Sequence, residues 1–285
     1  MTRIVLHIGT HKTGTTSFQR WFTENEQAIT EACGATIYKG RVRDARELGA
    51  LFINPDRETP DIRRRIQRGD TADAGSLPLR GTSEWNQLET EVLSSVRQQL
   101  VAASQTFVVS SESLSLLRYP SEISRLAEIF PPDQTTVVVC LRTAEGFLAS
   151  WKRHLDRDFF EFSDDPTSFA YVQPDSWLVN YEQLLTAYRD VYGHESVVVI
   201  DYDDAMTQHK STVPSIIDTF CADPSTLPSW DAYVFNTKGK APRKPIRGIA
   251  RPRHYRRYYL WVIGQWGRNI AHAFRKHVLR HADSY

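Results

Sequence analysis

The chain has little of what marks several large protein classes. Its 285 residues include only three cysteines and two methionines. Cys33, Cys140 and Cys221 lack the spacing of a metal site and do not suggest a disulfide framework. Cys140, inside the apolar run TTVVVCL, is expected as a buried, inert thiol. No apolar run approaches the roughly 18 residues that a membrane span needs, and the longest late one, YYLWVIG, has seven. The first apolar stretch, IVLHIG, leads straight into a glycine-containing turn, so no signal-peptide pattern is visible and a cytoplasmic location is expected. Internal repeats and low-complexity segments are missing too. An excess of one charge is also absent, because the formal net charge is +1.

What is present is unevenly distributed. Residues 238–285 hold 13 Lys and Arg against the single acid Asp283, which leaves residues 1–237 acidic. A basic tail on an acidic body suggests contact with something anionic, or a solvated basic helix. The stretch PRKPIRGIARPRHYRRYY reads as a Pro/Arg-rich linker entering a helix at about 254–281. The expected division is therefore a domain over 1–245 and a basic, aromatic helical extension over 246–285. Hydrophobic residues at 41% and charged residues at 24% fit a soluble globular chain.

Four near-continuous apolar runs, at 3–9, 106–112, 135–142 and 196–202, read as strands covered on both faces. Segments with helical spacing lie between them, at 15–30, 84–103, 121–129, 143–155, 177–192 and 211–221. Strands alternating with helices predict an α/β fold, a central parallel sheet flanked by helices with right-handed crossovers. The polar stretch 39–83 is expected as an irregular excursion over the active face.

The stretch HIGTHKTGTT, residues 7–16, places two glycines between a strand and a helix. Unpaired amides at a helix N-terminus face a ligand there, and the helix dipole favours negative charge. Gly9 and Gly14 allow close backbone approach, and the hydroxyls of Thr13, Thr15 and Thr16 add donors. The common nucleotide loop puts lysine directly after the second glycine. Here Gly14 is followed by Thr15, and the lysine, Lys12, precedes it. A lysine inside the loop meets a different atom of the bound anion.

With that displacement, GTHKTGTTSFQ resembles the 5′-phosphosulfate loop of sulfotransferases that use 3′-phosphoadenosine 5′-phosphosulfate (PAPS). The resemblance implies a P-loop-NTPase-like sulfotransferase fold. It also implies that Lys12 neutralises charge growing on the leaving phosphate, with His11, Thr13, Gly14, Thr15 and Thr16 around the donor. A second stretch, VVVCLRTAEGFLASWKRHL, resembles the family's 3′-phosphate signature, with Arg142 at a strand end and Ser150 on the next helix. An arginine fork and a serine hydroxyl suit phosphate oxygens. IDYDDAM is similar to the segment whose tyrosine lies near the adenine, which assigns that place to Tyr202. FNTKGKA falls where the family has a basic loop over the 3′-phosphate, which assigns Lys238, Gly239 and Lys240, although its spelling departs from the cytosolic enzymes.

Sulfuryl transfer to a hydroxyl needs a base. The resemblance places it after the strand TFVVSSESL, at Glu112; His11, in the loop, is the rival, and Glu112 as a helix cap is the structural alternative. His7 is expected as a satisfied core residue, and Ser110 and Ser111 as groups that orient the acceptor. The spelling with a glutamate base looks more like the carbohydrate-type branch, so a sugar or glycoconjugate hydroxyl is the expected acceptor, with Lys152, Arg153 and His154 facing it or simply exposed. PAPS is the expected donor and 3′-phosphoadenosine 5′-phosphate (PAP) the product, with no metal. Alternatives are a kinase with an atypical loop and a non-catalytic nucleotide-binding protein. The basic tail offers peripheral membrane contact or a homodimer contact; no nucleic-acid motif is present.

Overall fold

The computed structural model describes residues 2–41, 44–58, 77–157 and 160–233. Its centre is a five-stranded, all-parallel sheet in the order β2-β3-β1-β4-β5. The strands are β1 (Arg3–His7), β2 (Ala35–Ile37), β3 (Thr106–Ser110), β4 (Thr135–Leu141) and β5 (Val197–Asp201). Alternation explains why the sheet is covered on both faces. Val5, Val108 and Val138 join one core cluster, while their neighbours Ile4, Leu6, Phe107, Val109, Val137 and Val139 point the other way and are equally buried.

Helix α1 (Thr15–Glu24) buries Phe18, Trp21 and Phe22, spaced to make one apolar stripe, in the cluster with Val5. The expected single helix over 15–30 is broken at Asn25, whose side chain donates to Trp21 O at 2.8 Å. A second helix, α2 (Glu26–Cys33), then ends at Gly34 in the left-handed region. The expected irregular excursion over 39–83 is corrected in part. It contains α3 (Arg46–Phe52), buried along its length, and the first turns of α4 (Ser83–Ala102). Residues 59–76 of that stretch lie outside the described residues. Next come α5 (Pro120–Ala127), α6 (Ala144–Arg157) and α7 (Tyr181–Tyr192), with α5 packed on α7 and α7 on β4 and β5. The expected helix at 211–221 shrinks to α9 (Val213–Ile217), preceded by an unexpected α8 (Tyr202–His209) that Asp201 caps by accepting from Asp204 N.

A buried carboxylate ties two of these layers together. Glu122 of α5 is fully buried and accepts from Arg57, from Asn54 N and from the amides of Arg118 and Tyr119. That satisfies a charge whose burial would otherwise be expensive.

The chain divides into two compact units. One joins Met1–Trp151 with Ser163–Phe235; the other holds Lys152–Phe162 with residues beyond 235, which lie outside the described residues. Within the second unit, Lys152 Nζ sits over the Phe162 ring at 5.5 Å. Lys152 and Arg153 are exposed, whereas His154 is buried, so the three do not share one exposed face. The basic extension at 246–285 is outside the described residues. Among the described residues, no helix is long and apolar enough to cross a membrane.

The cysteines correct another expectation. Cys33, at the end of α2, and Cys221, just after α9, form a disulfide across 188 residues of sequence. Such bonds form and persist in oxidising environments. Cys140 is the buried thiol expected, with its pKa pushed up to about 12 by burial. A cross-link over so long a loop contributes about 2–4 kcal/mol, chiefly by restricting the unfolded chain. Treatment with a reductant, or the pair Cys33→Ser and Cys221→Ser, is therefore expected to lower the melting temperature by several degrees, read by calorimetry. An unchanged melting temperature would contradict the cross-link.

Candidate active site

In an open parallel sheet, ligands bind beyond the carboxyl ends of strands whose connections leave in opposite directions. That point lies between β1 and β4. From β1 the chain runs toward β2, on one side of the sheet; from β4 it runs to β5, on the other. The glycine loop follows β1 and Arg142 follows β4, so both phosphate-like motifs leave the carboxyl ends of adjacent strands.

Several contacts hold the two sides together. Ile8 N donates to Val138 O at 2.9 Å, and Thr10 Oγ1 donates to Cys140 O at 2.8 Å. The His11 ring stacks on Trp151 of α6, with centroids 4.9 Å apart and planes at 17°. Trp151 directly follows Ser150. Gly146 and Ser150 lie one turn apart on the same face of α6. A Cβ at Gly146 would sit 2.9 Å from Arg142 Nε, so this face runs along the arginine. Ser150 itself is half-buried.

The loop has the shape of an anion cradle. Lys12 adopts φ 69° and Gly14 φ 88°, while Thr13 between them is not left-handed. That alternation turns successive amides toward one side. For a lysine the left-handed conformation costs about 1–2 kcal/mol. Glycine is required at position 14, both by its φ and because a Cβ would meet Thr212 Oγ1 at 2.5 Å. Thr212 Oγ1 in turn donates to Thr13 O at 3.0 Å, which fastens the loop from behind. A Cβ at Gly9 would run into Thr15 Oγ1 and would lie 2.8 Å from His7 Nε2. The first turn of α1 carries no acidic residue to compete for its dipole. Thr15 Oγ1 is buried without a hydrogen bond, as is Arg142 Nε. Buried donors are seldom left so, and their chemistry fits an anionic ligand. Thr13 and Thr15 are buried, and Thr16 is exposed. Thr13 Oγ1 is engaged, donating to Thr10 O at 2.6 Å.

On the β4 side, Arg142 lies with its guanidinium over the Tyr202 ring at 4.8 Å and its Nε 3.9 Å from Asp203 Oδ1. Asp203 Oδ2 accepts from Thr143 N at 3.4 Å. Sequence reasoning singled out Tyr202 but passed over Asp203, whose carboxylate lies near the arginine. Lys238, Gly239 and Lys240 lie outside the described residues.

Glu112 opens a 3-10 helix, Glu112–Leu116, immediately after β3. It is half-buried, and its Oε2 lies 2.7 Å from His11 Nδ1. The two residues that sequence reasoning set against each other are thus a hydrogen-bonded pair. The turn under Glu112 is built into the fold. Ser111 N donates to His7 O, and Gln19 Nε2 donates to Ser110 O. Ser111 Oγ donates to Ala45 O at 3.0 Å, and Gly49 N donates to Ser113 Oγ at 3.1 Å. Ser110 and Ser111 are therefore structural: Ser110 Oγ is 2.9 Å from His7 Nδ1, and both serines are buried. Burial pushes the His7 pKa down to about 4, with Glu112 pulling the other way, so His7 is the neutral core residue expected.

Among the described residues, no group of three or more metal-ligating side chains comes together. No protein-family model matches the sequence, and no curated protein matches it. Among solved structures, the chain is similar to a sulfotransferase from Alicyclobacillus acidocaldarius, at 17% identity and a TM-score of 0.49, over 81% of this chain and 85% of that one. It is also similar to the sulfotransferase domain from the curacin biosynthetic pathway, at 11% identity and a TM-score of 0.40, over 89% of this chain and 82% of that one. Both are distant likenesses.

Helix α3, which supports the Glu112 turn, carries a buried acid with a testable signature. Burial first, then the charge of Asp44, push the Glu47 pKa up to about 7, against the amides of Glu47 and Arg41 and the charge of Arg46. The folded chain therefore keeps a proton that the unfolded chain releases above the ordinary value of 4.5. Stability from this group is highest at low pH and falls as pH rises through the window from 4.5 to about 7. The melting temperature is expected to drop more steeply between pH 5 and pH 7.5 in the native chain than in Glu47→Gln. Parallel slopes would contradict this.

Proposed function

We propose that the chain is a metal-independent sulfotransferase of the PAPS-dependent family, transferring a sulfuryl group to an acceptor hydroxyl. The observation that carries the reading is adjacency: the loop around Lys12 follows β1 and the Arg142–Ser150 motif follows its neighbour β4, with the Thr10–Cys140 bond and the His11–Trp151 stack joining the two segments. Two anion-binding clusters side by side suit a ligand with phosphate groups at two positions, and a nucleotide phosphorylated at both 3′ and 5′ oxygens is such a ligand.

In this reading the amides of residues 12–16 and the Thr15 and Thr16 hydroxyls hold the 5′ end. Lys12 lies against the bridging oxygen and offsets the charge that grows there as the S–O bond breaks. Arg142, stacked on Tyr202, and Ser150 hold the 3′-phosphate. Lys238, Gly239 and Lys240 are proposed to close over that phosphate. The bound donor would supply the sulfuryl group and a leaving phosphate. Glu112 would take the acceptor's proton as its oxygen approaches sulfur.

The spelling HIGTHKTGTT with a glutamate base favours a sugar or glycoconjugate hydroxyl as acceptor. The basic extension at 246–285 is proposed as a separate helical element.

A kinase and this enzyme differ in which nucleotide they prefer. Titration calorimetry is expected to give a dissociation constant for PAP at least tenfold below that for ADP or ATP. Arg142→Ala is expected to remove most of that preference, because a charge-assisted phosphate contact is worth about 1.5–3 kcal/mol. Equal affinities for PAP and ATP would refute the proposal and favour a phosphotransferase.

A further inference from the structure

Binding a phosphosulfate requires nothing of the histidine in the donor loop that a backbone amide could not supply. Yet the His11 ring is closely held. Only 4% of it is exposed. Trp151 covers one face of its ring, and Phe169 meets it edge-on at 6.2 Å and 82°. This wall is itself fixed. Trp151 Nε1 donates to Phe169 O at 3.1 Å, the two rings pack in a T at 4.7 Å, and Phe147 stacks beyond Trp151 at 6.1 Å. The imidazole plane therefore has little freedom, and its Nδ1 faces Glu112 Oε2 at 2.7 Å across 101 residues of sequence. A carboxylate only accepts, so Nδ1 carries the hydrogen in this pair.

We infer that His11 is a positioning residue for Glu112: it grips one carboxylate oxygen, Oε2, so that the other, Oε1, is presented to the acceptor hydroxyl. The inference rests on the proposed role of Glu112 as base. A free glutamate on a surface turn samples several rotamers, and holding one oxygen in place keeps the base within reach of the reacting proton. As the acceptor's O–S bond forms, its O–H bond breaks and the proton passes to Oε1. The S–O bonding pair leaves with the phosphate oxygen beside Lys12, and the Nδ1 hydrogen stays on His11. Because His11 directly precedes the left-handed Lys12, the group that steers the base and the group that stabilises the leaving oxygen are neighbours on one rigid turn. The loop that senses the donor would thus also set the base.

The test combines binding, turnover and spectroscopy on the full chain. PAP affinity by calorimetry is expected to change less than threefold in His11→Ala. Transfer of radiolabelled sulfonate from PAPS to an aryl glucoside is expected to lose about 10- to 100-fold in kcat, with KM for PAPS unchanged. His11→Asn, whose amide can replace the Nδ1 hydrogen, is expected to recover most of that loss. His11→Ala should add nothing to Glu112→Gln, since the two act as one unit. Independently of any acceptor, proton NMR should show a slowly exchanging His11 Nδ1 hydrogen that shifts in Glu112→Gln. A tenfold weakening of PAP binding in His11→Ala would overturn the inference and make His11 a donor contact. An Nδ1 resonance indifferent to Glu112→Gln would overturn it as well. Native turnover in Glu112→Gln would instead remove the base assignment itself.

Discussion

The pairing of β1 with β4 is the constraint on which the rest depends. Leu6 stands opposite Val137 and His7 opposite Val138, and the next residues of each strand diverge into the two phosphate-like motifs. A parallel neighbour of this kind cannot be made by a short turn. It forms only because the chain has already gone out to β2 and β3 and crossed back. The Thr10–Cys140 bond continues the pairing into the loop, and the stack of His11 on Trp151 extends it to α6. Without that registry, Lys12 and Arg142 would be two unrelated cations.

Behind the two motifs, the supports come from parts of the chain with no evident chemistry of their own. Thr212 closes the back of Gly14, α3 clasps the turn that carries Glu112, and the disulfide joins α2 to the segment after α9. Thr212 fastens a turn whose backbone is left-handed at Lys12 and Gly14, and α3 fastens the turn that carries Glu112. The left-handed Lys12 is the sharpest case, since its conformation is disfavoured and survives only because its neighbours determine it.

Much of this was legible in the sequence where a physical signal is strong and local. The valine-rich runs marked four strands to within a few residues, and the glycine spacing with its misplaced lysine marked the loop. What escaped was short or long-range. ATI at β2 is three residues and carries no periodicity to read. Asn25, which splits the first helix, is an ordinary helix-surface residue until its side chain turns back on Trp21 O. The seven residues of α3 are hidden in a charged stretch, and two of the charges, Arg46 and Glu47, are buried. Cysteines 188 residues apart give no spacing from which a bond could be inferred. The pairing of His11 with Glu112 also depends on tertiary structure: sequence presents the two as competitors, and only the folded chain makes them partners.

The central claim is that one ligand is gripped at both ends by these two clusters, and the most direct measurement is a crystal structure with PAP bound. The account predicts the 5′-phosphate against the amides of residues 12–16 and the 3′-phosphate within hydrogen-bond distance of Arg142 and Ser150. A nucleotide whose 3′-phosphate lies in solvent, with Arg142 still turned onto Tyr202 and Asp203 alone, would contradict it.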